Sequence, residues 1–293
     1  MKKNVFSKTR LVAEIGCNHQ GNLNTAYKML NTLKHFCSVQ YVKFQKRTPK
    51  ELLTDKEYNS PHPNPINSFG KTYGEHRENL EFNISTHKKL IKYCNKIGLT
   101  YCTSVWDLTS AKQIIKTSCT NIKIPSACNN NSELLEFLFK NFKNNLHISM
   151  GMTTKKEENN IFKIAKKFKR NKEKLIIYAC TSSYPAKDDD VNLYEIKRLK
   201  KKFGKLAQIG FSGHHNGIAI DIAASSLGAK WIERHFTLDR TLKGTDHAAS
   251  LEPDGIRRLN RDLISLPKVM TYKKKEILQS EKLQRKKLKY KKI

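Results

Sequence analysis

The sequence has no paired cysteines and no long apolar run. Its seven cysteines are widely spaced and contain no C-x-x-C motif, a pattern that argues against a disulfide framework and a structural zinc site. No apolar stretch approaches the roughly 20 residues of a membrane span. The basic first residues, MKKNVFSKTR, do not continue into the apolar core of a secretory signal. We therefore expect a cytoplasmic protein with reduced thiols and no membrane partner.

Acidic residues are also scarce. There are 26 Asp and Glu against 56 Lys and Arg, a net charge of +30, and ten of these basic residues lie within 271–293. Such a charge attracts nucleic acids and small anions alike. An RNP-type aromatic motif, zinc-finger spacing and a basic zipper are all missing. We therefore interpret the charge as Lys-rich, solvated helix faces and expect no nucleic-acid partner; a basic nucleic-acid-binding protein is the alternative.

Short apolar runs alternate with longer helix-like segments along the whole chain. The candidate strands are 11–15, 41–45, 100–104, 121–124, 146–149, 175–180, 206–210 and 231–235. Eight strand–helix repeats in roughly 250 residues predict an α/β fold of the (β/α)₈ TIM-barrel type. A doubly wound open sheet is the competing architecture, but no strand is followed by its G-x-G-x-x-G fingerprint. We assign residues 1–267 to the barrel and 268–293 to a Lys-rich helical tail.

Three helix boundaries and one long connection can be read from local patterns. We expect a helix over 24–36, another capped by Ser85, and a third that opens with a capping box from Thr154 to Glu157. The segment 47–84 contains four prolines and is too long for an ordinary connection. It is therefore predicted to be an elaborated functional loop.

Polar side chains stand at the ends of nearly all predicted strands, where a barrel carries its active site. Lys43 and Lys123 lie inside apolar strands, and a buried lysine is costly unless an anion meets it. Serine hydroxyls accompany both lysines at neighbouring strand ends: Ser104, Ser126, Ser149 and Ser212. This combination predicts a cradle for a phosphorylated or carboxylated anion.

His214 and His235 end two neighbouring strands, which would bring their imidazoles together. With carboxylates from Glu14 and Asp246, they suit a divalent metal that acts as a Lewis acid. Spacing alone leaves core or capping roles for the two histidines equally open. The rival ligands are His19, His215 and His247.

At these positions the sequence resembles the sialic acid synthase family. The strings that carry the resemblance are, in order, AEIGCNHQG (13–21), VKFQ (42–45), IKIPSA (122–127), ISMGM (148–152), CTSSYP (180–185), GFSGHH (210–215), GAKWIERHFTLDR (228–240) and GTDHAASLEP (244–253). The family comprises N-acetylneuraminate synthases and their legionaminate and pseudaminate relatives. The resemblance implies a (β/α)₈ barrel that condenses phosphoenolpyruvate (PEP) with an N-acetylated hexose, typically N-acetylmannosamine, and releases phosphate.

The resemblance also implies roles for individual residues. The residues implied to bind PEP are Lys43, Lys123, Ser104, Ser126, Ser149, Ser182 and Ser212. Those implied to face the sugar are Gln45, Tyr184 and Asp246. His214 and His235 would bind a divalent metal, Mn²⁺ or Mg²⁺. Glu14 would lie beside the reacting centre, where it either orients or deprotonates the attacking water or supports the metal and the loop. Glu14, His214, His235 and Asp246 are thus the implied catalytic group.

Departures from the family pattern concern the sugar half of the site. Cys128, Gly213 and Ser182 stand where relatives often have an acid, an aspartate and an asparagine. The chain ends at Ile293, so the resemblance implies that the family's small antifreeze-like domain, which supplies an arginine to the neighbouring subunit, is missing. Arg47, Arg77 or another polypeptide would replace that arginine; weak or altered sugar binding is the third possibility. We expect a homodimer.

Other functions remain as alternatives. Two of them use the same PEP condensation chemistry: a legionaminate- or pseudaminate-type synthase and an octulosonate-phosphate synthase. In a different class is a catalytically inactive barrel that acts as a binding module.

Overall fold

The computed structural model describes residues 9–290, and its centre is a closed barrel of eight parallel strands. Each strand pairs with the next along the chain, and the last pairs with the first. The strands are β1 Arg10–Gly16, β2 Tyr41–Lys46, β3 Thr100–Val105, β4 Asn121–Ile124, β5 Asn145–Ser149, β6 Leu175–Cys180, β7 Gln208–Gly213 and β8 Trp231–His235. The predicted (β/α)₈ barrel is confirmed.

Helices connect the strands and surround the barrel. They are α1 Leu23–Asn31, α2 Pro49–Leu52, α3 Asp55–Asn59, α4 Tyr73–Asn79, α5 Ile84–Ile97, α6 Leu108–Ile114, α7 Ser132–Asn141, α8 Lys155–Phe168, α9 Glu195–Phe203, α10 Ala219–Ser226, α11 Pro253–Val269 and α12 Gln279–Leu288. Between residues 9 and 290, none of these helices combines the length and the apolar character that a bilayer crossing requires. The helix α12 lies in the predicted tail, whose boundary with the barrel stays a prediction.

Two predicted boundaries are wrong for local reasons. Strand β7 begins at Gln208 rather than 206, because the backbone amides of Leu206 and Ala207 donate to the carbonyl of Phe203 and close the end of α9. Helix α5 is capped by Asn83 rather than Ser85. The Asn83 side chain accepts the Thr86 amide at 2.9 Å, which places Ser85 inside the first turn.

The helix predicted over 24–36 changes its winding part-way. After α1, residues Thr32–Phe36 form a π-helical turn in which the Cys37 amide donates to the Thr32 carbonyl. The capping box of α8 is confirmed, since the Thr154 amide donates to the Glu157 carboxylate at 2.7 Å and the Thr154 hydroxyl accepts the Glu157 amide at 3.3 Å. Side-chain capping thus fixes where α8 starts.

Because side chains alternate along each strand, the protein has one core between the barrel and the helices and another inside the barrel. Side chains such as Val42, Phe44 and Ile122 point outward and pack against the helices. The residues between them point into the barrel, because successive side chains of a strand face opposite sides. At the amino-terminal end of the interior these form an apolar cluster of Val12, Ile176, Tyr178 and Trp231. This cluster is the floor beneath the polar side chains described below.

One outward side chain of β8 is an arginine. Arg234 is fully buried against α10, where it donates to the Asp221 carboxylate and to the Gly217 carbonyl and lies 2.9 Å from His215 Nε2. A buried charge is tolerated only when its partners are complete. The Arg234–Asp221–His215 group therefore ties β8 to the segment after β7.

Asp221→Asn tests how much this group stabilises the fold. We expect a loss of about 3–5 kcal/mol in the free energy of unfolding, because the arginine stays buried without its counter-charge. Urea unfolding followed by circular dichroism measures it. The matched control is Asp262→Asn, whose partner Arg261 is exposed and which should leave the midpoint unchanged. Equal midpoints for both variants would contradict the assignment.

Two buried histidines make the free energy of unfolding depend on pH. Burial lowers the pKa of His87 and of His147 to about 3, so both are neutral in the folded protein, whereas in the unfolded chain they titrate near 6.5. Below pH 6.5 the unfolded chain binds more protons. The contribution of these two histidines to stability should therefore be constant above that pH and fall by about 1.4 kcal/mol per pH unit per histidine as the pH drops further. Unfolding curves at pH 7.5, 6 and 5 measure this slope. His87→Gln should reduce the slope, and an unchanged slope would show that His87 contributes nothing.

Candidate active site

A cavity of about 370 Å³ opens at the carboxyl ends of the strands. Twelve of the thirteen site residues proposed from sequence line it: Glu14, Lys43, Gln45, Ser104, Lys123, Ser126, Ser149, Tyr184, Ser212, His214, His235 and Asp246. The exception is Ser182. Its hydroxyl is buried without a hydrogen-bond partner and lies behind the lining, beside Gly151 and Ser126. The structure gives Ser182 no direct contact with the cavity.

Strand register explains why residues far apart in sequence meet here. Glu14 of β1 is paired with Lys43 of β2 on one side and with His235 of β8 on the other. Ser104 is likewise paired with Lys123 across β3 and β4. Because each of these residues sits at an inward position of its strand, the polar groups form one ring above the apolar floor.

Two lysines and two glutamates form the base of the cavity. Lys43 Nζ lies 2.6 Å from the Glu14 carboxylate and 3.5 Å from that of Glu233, and it donates to the Ser104 hydroxyl at 2.9 Å. Lys123 Nζ lies 2.7 Å from the Glu233 carboxylate. All four charged side chains are almost completely buried. The two positive and two negative charges neutralise one another within this group. Replacing any one of the four side chains therefore changes the electrostatic environment of the other three.

The two carboxylates of this group differ in protonation. Burial and the charge of Glu233 raise the pKa of Glu14 to about 7, even though Lys43 opposes the shift. Lys123 and Lys43 instead hold the pKa of Glu233 well below its ordinary value despite burial. Both carboxylates in turn raise the pKa of Lys43. Near neutral pH, Glu14 can therefore exchange a proton while Glu233 and Lys43 keep their charges.

The two predicted imidazoles lie next to each other in the cavity. The rings of His214 and His235 are 5.5 Å apart. Nδ1 of His214 lies 2.7 Å from the Thr181 carbonyl oxygen, which can only accept, so in the neutral ring the lone pair is on Nε2. The adjacent Cys180 raises the pKa of His214 despite burial. Burial and the neighbouring His214 lower the pKa of His235 to about 4. Its Nδ1 is buried without a hydrogen-bond partner.

The three rival histidines do not line the cavity. His215 belongs to the Arg234–Asp221 group. His247 Nδ1 lies 2.7 Å from the Thr237 hydroxyl. His19 stacks on Phe82 at 4.0 Å, and its Nδ1 accepts the Gly21 amide. The contacts of all three histidines are therefore structural.

Several lining residues were not assigned by sequence reasoning. Glu233 is not among the site residues predicted from sequence, although its position two residues before His235 is a usable signal because such residues face the same side. Cys180 contacts His214, and despite burial that imidazole lowers the pKa of the thiol to about 6. The long segment after β2 adds six lining residues: Arg47, His62, Tyr73, His76, Arg77 and Leu80. Arg47 and Arg77 are the two proposed above to replace the family's arginine. Cys128, at the position where relatives carry an acid, is buried and does not line the cavity.

Comparison with known proteins places this site in a family. The NeuB family model matches residues 29–275. The chain belongs to the NeuB family. It is 36% identical over 271 residues to the N-acetylneuraminate-9-phosphate synthases of Mus musculus and Homo sapiens, a span that covers 92% of the chain and 74% of each relative. The resemblance to the sialic acid synthases is thereby confirmed.

Other relatives share the barrel but carry different names. The N,N'-diacetyllegionaminic acid synthase of Campylobacter jejuni is 32% identical over 265 residues, 90% of this chain and 78% of that protein. Among solved structures, the N-acetylneuraminic acid synthetase of Leptospira borgpetersenii in complex with citrate superposes with a TM-score of 0.79 at 28% identity, covering 97% and 94% of the two chains. A synthase of the sialic acid type is therefore supported at the level of the family, while the sugar is not specified.

Proposed function

We propose that this protein condenses PEP with an N-acetylated hexose of the N-acetylmannosamine type, forming a nine-carbon sugar acid and releasing phosphate. The observation that carries the proposal is the shared cavity of Lys43, Lys123, His214 and His235. It joins an anion cradle to a pair of imidazoles, and the reaction needs both. The family and the names of its synthases support the same reaction.

The lysine end of the cavity suits PEP. PEP brings a carboxylate and a phosphate, and Lys43 and Lys123 offer ammonium donors at the barrel axis with serine hydroxyls around them. Lysine and hydroxyl donors form charge-assisted hydrogen bonds to such oxygens.

The imidazole end suits a divalent metal. His235 Nδ1 makes no hydrogen bond and lies 3.8 Å from the Asp246 carboxylate, and in the neutral tautomer of His214 the lone pair is on Nε2. A Cβ placed on Gly16 would lie 3.2 Å from the Asp246 carboxylate and 3.3 Å from that of Glu14, so two carboxylates converge close by. Among residues 9–290, no three His, Cys, Asp or Glu side chains form a complete ligand set. His214 and His235 would hold Mn²⁺ or Mg²⁺, with substrate or water as further ligands.

Different residues of the cavity have different roles in this reaction. When bound, the metal supplies Lewis-acid polarisation of the sugar carbonyl. Lys43 and Lys123 orient PEP so that its C3 attacks the aldehyde carbon of the open-chain sugar. Water then adds at PEP C2, and the bond from C2 to the phosphate oxygen breaks. Gln45, Tyr184 and Asp246 line the same cavity and would hold the sugar.

Glu14 is the group suited to move a proton. Its carboxylate lies against Lys43 and close to Gly16 and His235, and its pKa of about 7 is near that of an effective general base or acid at neutral pH. As the unprotonated carboxylate, it would accept a proton from the attacking water. Orienting the water or the metal ligands without proton transfer is the alternative role.

Phosphate release from PEP in the presence of Mn²⁺ tests the proposal. N-acetylmannosamine, a diacetamido hexose and no sugar are compared, and mass spectrometry identifies the product. Sugar-dependent release with a nine-carbon product is the expected result. If folded, metal-loaded protein releases no phosphate with any N-acetylated hexose or its phosphate ester, the condensation is wrong and the barrel is better explained as a binding module.

A further inference from the structure

A second cavity, of about 430 Å³, opens at the amino-terminal end of the barrel, opposite the candidate active site. It lies where β7, β8 and β1 begin, and these three strands are neighbours in the closed sheet. Five charged side chains line it, and we call it the lower cavity: Arg10, Lys172, Lys200, Lys230 and Glu173. Four of the five are basic, so the lower cavity is a concave site of positive charge.

The fold brings these basic residues together from separate parts of the chain. The Arg10 amide donates to the Lys230 carbonyl at 2.9 Å, and the Lys230 amide donates to the Ile209 carbonyl at 2.7 Å. Pairing of the strand ends thus holds Arg10 and Lys230 side by side. Lys200 reaches the same place from α9, since a Cβ placed on Gly228 would lie 3.5 Å from its Nζ.

The carboxylates around the lower cavity do not neutralise these cations. Its one acidic lining residue, Glu173, accepts the side-chain amide of Gln208 at 2.5 Å. In the part of the chain from residue 9 to residue 290, none of Arg10, Lys172 and Lys200 forms an ion pair with an acidic side chain. An anion that enters the lower cavity would therefore meet cations that are not already paired with carboxylates.

Mutual repulsion of the lysines points the same way. Burial and the like charge of Lys200 lower the pKa of Lys230, although Glu173 opposes the shift. A neighbouring positive charge has this effect only when the two ammonium groups are close and incompletely compensated. An anion between them would relieve the repulsion and favour the charged form of both side chains.

The apolar floor separates the lower cavity from the candidate active site. Trp231, a member of the floor, has the Arg10 guanidinium over its ring at 5.0 Å and donates from Nε1 to the Gln208 side chain at 3.0 Å. Arg10 and Gln208 both line the lower cavity. A ligand bound there is thus distinct from one in the cradle of Lys43 and Lys123.

We propose that the lower cavity binds a phosphorylated small molecule, held by Arg10, Lys200 and Lys230. Lysine ammonium groups and the arginine fork form charge-assisted hydrogen bonds to phosphate oxygens. Four basic side chains against one acidic one suit a multiply charged group better than a single carboxylate. The volume falls within the roughly 300–1,000 Å³ of small-molecule sites, which leaves room for the sugar or nucleoside that carries the phosphate. Barrels perform catalysis at the other end of their strands, so this ligand is bound without being converted.

Titration calorimetry of the full chain with pyrophosphate, ribose 5-phosphate and ADP tests the site. We expect Lys200→Met to raise the Kd of the tightest of the three by about 10-fold, and Arg10→Met/Lys200→Met to raise it by about 100-fold, through lost charged hydrogen bonds. Lys200 is exposed, so its replacement should leave the fold intact. The matched control is Lys201→Met, next on α9 but outside the lining, which should bind as the native chain does.

The outcomes distinguish the lower cavity from other anion sites. Binding that depends on Lys200 but not on Lys201 supports it, and the order of the three probes shows whether a sugar, a nucleoside or phosphate alone is recognised. Binding that is unchanged in Lys200→Met but lost in Lys123→Met belongs to the active-site cradle and overturns it. Equal weakening by Lys200→Met and Lys201→Met, with a single-stranded oligonucleotide bound more tightly than ADP, indicates a spread basic surface for nucleic acid and also overturns it.

Discussion

Lys123→Met is expected to lower kcat/KM for PEP by about 10³-fold, because each lost charged hydrogen bond contributes about 1.5–3 kcal/mol and the ammonium serves two anionic groups of PEP. The substitution also leaves Glu233 with Lys43 alone, at 3.5 Å. We therefore expect the free energy of unfolding to fall by about 3 kcal/mol. Steady-state kinetics and urea unfolding measure the two effects on the same preparation.

A double variant separates substrate binding from structure. Lys123→Met/Glu233→Gln removes both charges of the 2.7 Å pair, so most of the lost stability should return. Activity should stay low, because the cation that meets PEP is still missing. If the double variant regains activity with its stability, Lys123 serves only to neutralise Glu233 and the PEP cradle is wrong.

Residue alternation made much of this site predictable. A lysine between Val42 and Phe44 must face the opposite side of its strand from two apolar neighbours, and the same holds for Lys123 between Ile122 and Ile124. In a barrel that side is the interior. The sequence thus located the charged groups, and the closed strand order confirmed that they share one cavity.

The partners of these charges could not be predicted in the same way. Glu233 reaches Lys123 across the barrel, from β8 to β4, and no local pattern encodes a contact between strands that are not neighbours. The lining residues from segment 47–84 had a signal in the length and prolines of that segment. The orientation of the His62 and His76 rings, however, depends on which backbone amides their Nδ1 atoms accept, and this is fixed only when the loop folds.

His214→Ala is expected to remove the metal and the activity together. With one of two imidazoles gone, Mn²⁺ bound after gel filtration should fall to the level of a metal-free control, and phosphate release should fall by about 10³-fold or more because the carbonyl is no longer polarised. Electron paramagnetic resonance measures free and bound Mn²⁺ independently of turnover. His35→Ala, at an exposed position, is the control.

The adjacent histidine gives the sharper comparison. His215 lies next in sequence but is buried with Arg234 and Asp221 on the outside of the strands, so His215→Ala should lower the unfolding midpoint and leave the bound Mn²⁺ unchanged. His214→Ala should show the reverse pattern. If His214→Ala keeps its metal and His215→Ala loses it, the ligand assignment is wrong. Opposite outcomes at two neighbouring residues therefore follow from their different surroundings, since His214 lines the cavity whereas His215 is bonded within the Arg234–Asp221 group.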